Sequence, residues 1–244
     1  MLKIRLLLLA VSASTLSACG ITTAISDAVL NNDDPVLVAQ ALPTFLIAAD
    51  AAVARSPDDS ETLLGAAKLY SAYAGQFVTD VERQQRLTTK ALTYAHQALC
   101  EENEDLCAAR GDATQWQEAL QKSDDVALIY GVTSVWAGWL QTRSDDFNAI
   151  ADLPKITAGV QRVLALDAHY DNGGAQLYAG VLNTLLPPSV GGKPELAKAH
   201  FEKAMAISGG KNLIVQTMYA KNYARLLYDR ELHDKLLNEV VAAD

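Results

Sequence analysis

Few side chains in this sequence have the types and spacing that catalysis requires. The four histidines, His96, His169, His200 and His233, are far apart in sequence, and none stands beside a serine or cysteine that it could activate. Neither G-x-S-x-G nor H-E-x-x-H occurs. We therefore expect no enzymatic activity, no metal site and no cofactor, and a packing role for His200.

The first of the three cysteines, Cys19, follows the features of a secretory signal peptide. A basic start with Lys3 and Arg5 precedes a short apolar run that cannot span a bilayer. The ending Leu16-Ser17-Ala18-Cys19 resembles the lipobox of bacterial lipoproteins. That likeness implies a signal peptide over residues 1–18 and lipidation (palmitate) of Cys19. Gly20 in place of aspartate implies the periplasmic face of the outer membrane. The alternative is an ordinary signal peptide with an unrelated cysteine.

The two remaining cysteines, Cys100 and Cys107, are separated by six residues. In an oxidising periplasm this spacing favours a local disulfide over free thiols. A metal pair is disfavoured because the nearest histidine is His96 and no cluster of further Cys or His ligands follows.

The charge balance limits the classes of partner. The chain has 29 acidic and 20 basic residues and a net charge of −9. The predicted signal peptide holds two of the bases and no acid, so the mature chain is more acidic still. This balance argues against nucleic acid and against an anionic membrane surface as partners.

Apolar residues recur at helical spacing through most of the chain. Ala197, Phe201 and Ala204 follow the A-x3-F-x2-A spacing of the second helix of a tetratricopeptide (TPR) repeat. Phe45, Ala49 and Ala52 repeat it loosely, with a turn proline after them. We therefore predict an all-α fold over residues 34–244, a TPR-like stack of antiparallel helix pairs (α-solenoid) with irregular inserts, behind a tether at 19–33.

Local signals also suggest where helices begin and end. Pairs of aspartates precede several predicted helices, where carboxylates cap the positive end of the dipole. We expect Pro43 to bend or split the first helix. Residues 101–112 are predicted to form a loop, and residues 211–228 a single helix.

The helix predicted over residues 126–142 is apolar all round and should be the central buried one. Its Trp136 and Trp139 are three residues apart and share a face. They either pack in the core or line an apolar cavity. We expect Tyr130, Trp136, Trp139 and Tyr178 to approach one such cavity.

An insert at residues 187–194 interrupts one helix pair. Its prolines and glycines forbid a helix, so it should form an ordered loop at an edge of the stack. The residues Pro187, Pro188, Gly191, Gly192 and Lys193 are candidates for a partner or subunit contact; alternatively the loop merely bridges two helices. Gly191-Gly192-Lys193 is not a phosphate loop, because Ser or Thr after the lysine and the upstream glycine are both missing.

Several stretches in one order resemble the T component of TPR-protein-associated TRAP transporters. They lie at residues 126–131, 151–154, 164–174, 186–197, 201–204, 208–213 and 219–225. The Pro-Pro-x-x-Gly-Gly-Lys-Pro insert is the most specific part. Gly131, in place of an aromatic residue, and Gly174, an extra small residue, depart from the resemblance.

The resemblance implies a periplasmic scaffold lipoprotein that forms a homo-oligomer, a trimer in the family. It implies docking of the solute-binding P component of a TRAP transporter. It also implies an apolar channel that passes hydrophobic or organic-acid ligands between the two proteins. The alternative function is a general envelope-assembly TPR scaffold that binds outer-membrane or pilus machinery.

Overall fold

The computed structural model describes residue 29 and residues 32–243, and in this part of the chain every regular element is helical. The predicted signal peptide, the lipidation residue Cys19 and most of the 19–33 tether lie outside the described residues. The prediction of an all-α helical-repeat fold is confirmed.

The helices follow one another with short connections. In chain order they are α1 (Pro35–Arg55), α2 (Ser60–Phe77), α3 (Val81–Glu102), α4 (Glu104–Ala109), α5 (Ala113–Lys122), α6 (Val126–Gln141), α7 (Phe147–Ile150), α8 (Leu153–Leu166), α9 (Tyr170–Thr184), α10 (Pro194–Ser208), α11 (Leu213–Met218) and α12 (Arg230–Val241). A 3₁₀ turn at Pro188–Val190 precedes α10, and a π-helix at Tyr219–Ala224 follows α11.

The packing divides the described chain into two compact units, with the boundary after Ile47 and thus inside α1. In the first unit Asp34 caps α1 by accepting hydrogen bonds from the amides of Val36 and Leu37, both at 3.0 Å. The helix runs through Pro43 without interruption, so of the two predicted alternatives, a bend or a split, the split is wrong. By length and composition alone α1 could cross a membrane.

In the second unit the end of α1 is held by one carboxylate. Asp50 accepts hydrogen bonds from the phenols of Tyr70 and Tyr94, at 2.8 and 2.9 Å. Its Oδ2 atom also pairs with Lys90 Nζ at 2.6 Å. These partners lie on α2 and α3, so Asp50 fixes the last turns of α1 against the first helix pair.

Helix pairs succeed one another through the second unit. Helix α2 packs on α3, α3 on α6, α6 on α8, α8 on α9 and α9 on α10. In the last pair Ala197, Phe201 and Ala204 are fully buried, as their spacing predicts. The Phe201 ring lies against α9 so closely that a Cβ at Gly180 would be 2.9 Å from it. Such close approach requires a small residue on the facing helix.

The aspartate pairs cap helices as expected, always through the second member of the pair. The side chains of Asp59, Asp125 and Asp146 accept backbone amide hydrogen bonds at the starts of α2, α6 and α7. Each bond satisfies an amide that the helix itself leaves without a partner.

Two local predictions are wrong. Residues 101–112 are not a loop, because Asn103 caps the short helix α4 and tertiary packing buries Leu106 and Ala109. Residues 211–228 are not one helix, because α11 changes at Tyr219 into a π-helix. A π-helix turn holds one more residue than an α-helix turn, so the change alters which side chains face the core.

Candidate ligand cavity

A cavity of about 590 Å³ lies among α2, α6, α9 and α11. Helix α9 lines one wall with aliphatic side chains, including Leu177, Val181 and Leu182, and α11 adds Ile214 and Met218. A concave, mainly apolar site with a few polar groups is the usual form of a small-molecule site.

Helix α6 forms the opposite wall with one of its faces. Tyr130, Ser134, Gly138 and Gln141 follow one another at intervals of four, four and three residues, and all line the cavity. This spacing places side chains on one side of a helix. Because Ser134 and Gly138 are small, they leave open the space that larger side chains would fill.

Three tyrosine rings meet at one end of the cavity. The Tyr130 ring is T-shaped to Tyr170, with centroids 5.2 Å apart, and to Tyr178, at 5.9 Å. Tyr130 Oη donates a hydrogen bond of 2.5 Å to Asp171 Oδ2. Burial raises the pKa values of the Tyr130 and Tyr178 phenols, so both stay neutral.

The backbone at this end has a conformation that few residues adopt. Asp171, Asn172 and Gly173 have φ angles of 52°, 51° and 85°, in the left-handed region. Asp, Asn and Gly tolerate this region best. The left-handed run precedes the regular turns of α9. It places the Asp171 carboxylate beside the Tyr130 hydroxyl.

The position of Gly174 leaves no room for a side chain. A Cβ there would overlap the Tyr130 hydroxyl and lie 2.7 Å from Asp171 Oδ2. At Gly131, a Cβ would meet the Leu64 and Lys68 side chains, at 2.8 and 3.0 Å. The two glycines that depart from the resemblance therefore admit close neighbours beside the cavity.

The aromatic candidates divide into two groups. Tyr130 and Tyr178 line the cavity, whereas Trp136 and Trp139 do not. The expectation that all four surround one cavity needs this correction. Trp136 is two residues beyond Ser134, about 200° round the helix, and so faces away. The Trp139 ring instead lies under the Arg143 guanidinium, 4.8 Å from its centroid.

Trp136 belongs to a closed cluster on the other side of α6. Its ring contacts Trp116 and His96, with centroids 5.9 and 4.9 Å away. Its Nε1 atom donates to Asp152 Oδ2 at 3.0 Å, and Trp116 Nε1 donates to the Lys155 carbonyl at 2.9 Å. Both indole N–H groups are therefore satisfied inside the protein, which is typical of core packing.

Cys100 and Cys107 are joined by a disulfide in the structure, with Cα atoms 4.7 Å apart. It links the end of α3 to α4. Arg110 Nη1 lies 3.1 Å from Cys100 Sγ and 2.9 Å from Cys107 Sγ. Burial and then the Arg110 charge lower the pKa of His96, in the Trp136 cluster, to about 4.

The insert forms an ordered loop outside the cavity lining. Pro188–Val190 makes a 3₁₀ turn, and Gly191 has a φ of 109°. A Cβ on Gly192 would overlap the Leu186 carbonyl oxygen. The Lys193 amide donates to the Asn183 carbonyl at 2.8 Å, which ties the loop to α9. Pro187, Pro188 and Lys193 are exposed, so they are accessible for a contact.

Within residues 32–243 no group of three or more His, Cys, Asp or Glu side chains is arranged to hold a metal ion. His200 Nδ1 lies 2.7 Å from Gln176 Oε1, between α10 and α9, and burial lowers its pKa. This contact is consistent with a packing role for His200.

Sequence reasoning missed Lys68, Tyr170 and Asp171 as cavity residues. Lys68 is exposed on α2 and is the one basic side chain among the described lining residues. The run Asp171-Asn172-Gly173-Gly174 did indicate a turn with left-handed backbone at Asp171, because such residues permit that conformation. No sequence signal indicated which tertiary neighbour the turn would face.

Comparison with known protein families assigns the chain to one of them. No curated protein matches the sequence. The family model described as TRAP transporter T-component (TAtT) matches residues 31–244, nearly the whole chain. The protein therefore belongs to the TRAP transporter T-component family.

Proposed function

We propose that this T component scaffolds the solute-binding P component of its transporter and holds a ligand with an apolar body in the cavity. The observation that carries the ligand part is the cavity itself, about 590 Å³ beside α6, lined by aliphatic and tyrosine side chains. Its size falls within the range of small-molecule sites. Family membership supports association with a TRAP transporter.

The proposal includes the place of the protein in the cell envelope. Lipidation of Cys19 would anchor the chain at the periplasmic face of the outer membrane, and the acidic composition suits a protein that binds the membrane through lipid only. A homo-oligomer, a trimer by family resemblance, is part of the same proposal. Labelling with a palmitate analogue, lost in Cys19→Ala, tests the anchor.

The exposed loop formed by Pro187, Pro188, Gly191, Gly192 and Lys193 is the proposed contact for the P component or a subunit. Its proline and glycine backbone is already ordered, so little conformational entropy is lost on binding. Pull-down with the P component encoded beside this gene should recover a complex. Lys193→Glu should weaken it, whereas Lys235→Glu on α12 should not.

The proposal that the cavity holds a ligand is tested by filling the cavity with a larger side chain. Ser134→Trp would place an indole in the open space beside Gly138. We expect a small molecule to co-purify with the wild-type protein, detected by native mass spectrometry, and to be lost from this variant. Thr93→Trp, on the exposed face of α3, is the matched control and should retain it. Equal ligand content in the two variants contradicts the proposed site.

The alternative, a general envelope-assembly scaffold, predicts a different outcome of the pull-down. Crosslinking in the periplasm would then capture outer-membrane or pilus machinery, with no complex formed with the P component.

A further inference from the structure

The end of the cavity lined by Tyr130, Tyr170 and Tyr178, here called the tyrosine cage, also holds an acidic group. The Tyr130 ring is edge-on to each of the other two rings, with interplanar angles of 67° and 75°. The Asp171 carboxylate lies beside them and also lines the cavity. Faces of aromatic rings attract cations, and cages of such rings bind alkylated ammonium groups in other proteins.

The Asp171 carboxylate can accept more hydrogen bonds than it receives within the protein. Its Oδ2 atom accepts the Tyr130 hydroxyl, a neutral donor. Within residues 32–243 no lysine, arginine or histidine forms an ion pair with Asp171. A carboxylate accepts hydrogen bonds at two oxygens, so Asp171 can still pair with a cation from a ligand.

The charges that raise the pKa of the Tyr170 phenol are also negative. Burial raises the pKa of the Tyr170 phenol, and Asp171, Asp125 and Asp167 raise it further. Lys68, on α2, is the one basic side chain among the described lining residues. A cluster of negative charge beside a partly enclosed site raises the local concentration of cations.

Resting on the proposed function, that the cavity holds a ligand, we propose that this ligand carries an ammonium group. The ammonium group lies in the tyrosine cage and pairs with Asp171, while the apolar body of the ligand contacts Leu177 and Val181. A carboxylate in the same place would face the like charge of Asp171. An acidic ligand would instead have to reach Lys68.

The charge preference can be measured with three probes that share one chain, hexylammonium, 1-hexanol and hexanoate. Isothermal titration calorimetry on the wild-type protein should show that hexylammonium binds roughly tenfold more tightly than 1-hexanol. Hexanoate should bind most weakly.

Asp171→Asn removes the charge and keeps the backbone, because asparagine also adopts the left-handed conformation. Its amide oxygen can still accept the Tyr130 hydrogen bond. We expect roughly a tenfold loss of hexylammonium affinity, with 1-hexanol unchanged. Asp145→Asn changes the net charge equally, at an exposed position outside the cavity lining, and should alter neither affinity.

The outcomes separate this inference from the proposed function. If 1-hexanol binds but hexanoate equals or exceeds hexylammonium, the cavity is a ligand site and the ammonium proposal is wrong. Unchanged hexylammonium binding by Asp171→Asn overturns it as well. If none of the probes binds and no small molecule co-purifies, the proposed ligand function fails together with this inference.

Discussion

The two faces of α6 both carry aromatic side chains, yet one face is closed and the other is open. On the closed face Trp136 is 2% exposed and packs between Trp116 and His96. On the open face Tyr130 is half-buried and borders a cavity. Residue size alone does not account for the difference, because both faces present large rings.

The neighbours of each ring account for the difference between the closed and the open face. The closed face meets α3, α5 and α8, which supply rings and hydrogen-bond acceptors for both indoles. The open face meets α2 through Ser71, Ala72 and Gly75, which are too small to fill the gap. On α6, therefore, the cavity lies on the side where the facing helix α2 presents small residues.

The largest expected effect is on the closed face. Trp136→Ala should lower the free energy of unfolding by about 3–5 kcal/mol, since it leaves a cavity and removes the indole hydrogen bond to Asp152, whose carboxylate keeps only its ion pair with Lys155. Urea denaturation measures the change. Tyr170→Ala, on α9 where it lines the cavity opposite the open face, is the matched comparison and should cost less than half as much. Equal costs would show that the two faces do not differ in packing.

The closed face should also be sensitive to acid through His96. Burial, reinforced by the positive charge of Arg110, lowers the pKa of His96 from 6.5 to about 4. The unfolded chain then takes up a proton near pH 6.5, whereas the folded protein does so only near pH 4. The free energy of unfolding should therefore fall by roughly 3 kcal/mol as pH drops between these values.

Denaturation at a series of pH values checks whether the free energy of unfolding falls as the pH drops. His96→Leu should remove most of this fall, and His169→Gln, which replaces an exposed histidine, should preserve it. A wild-type fall that persists in His96→Leu would assign the acid sensitivity to other groups.

The disulfide stabilises the helices around the closed face. Replacing Cys100 and Cys107 by serine should lower the free energy of unfolding by about 2–3 kcal/mol, because the unfolded chain regains the entropy of a short closed loop. Denaturation of the variant against the wild type measures it. Ligand content should be unchanged, because neither cysteine lines the cavity. Loss of ligand would mean that the two faces are coupled.

The smallest stability effect is expected on the open face. Tyr130→Phe removes the hydrogen bond to Asp171 and keeps the ring. It should lower the free energy of unfolding by about 1 kcal/mol. Thermal denaturation measures the shift, and Tyr228→Phe, at a fully exposed ring, is the control. A cost as large as that of Trp136→Ala would mean that the open face is part of the core.

Much of the architecture could be read from local sequence. The burial of Ala197 and Phe201 follows from helical spacing, and the caps at Asp59 and Asp125 follow from the chemistry of helix starts. The local failures have a common cause. Burial of Leu106 stabilises α4, and packing at Tyr219 accompanies the π-helix, and neither contact is visible in a short window of sequence.

The sequence by itself determined that the chain is helical, that its helices pair, and to which family it belongs. Only the tertiary structure decided which aromatic rings face the cavity and that Asp171 joins them. Periodicity specifies which residues share a face of a helix, but the rotation of that face depends on all its neighbours at once. For α6 those neighbours come from segments tens of residues away, and their side-chain sizes set where space remains.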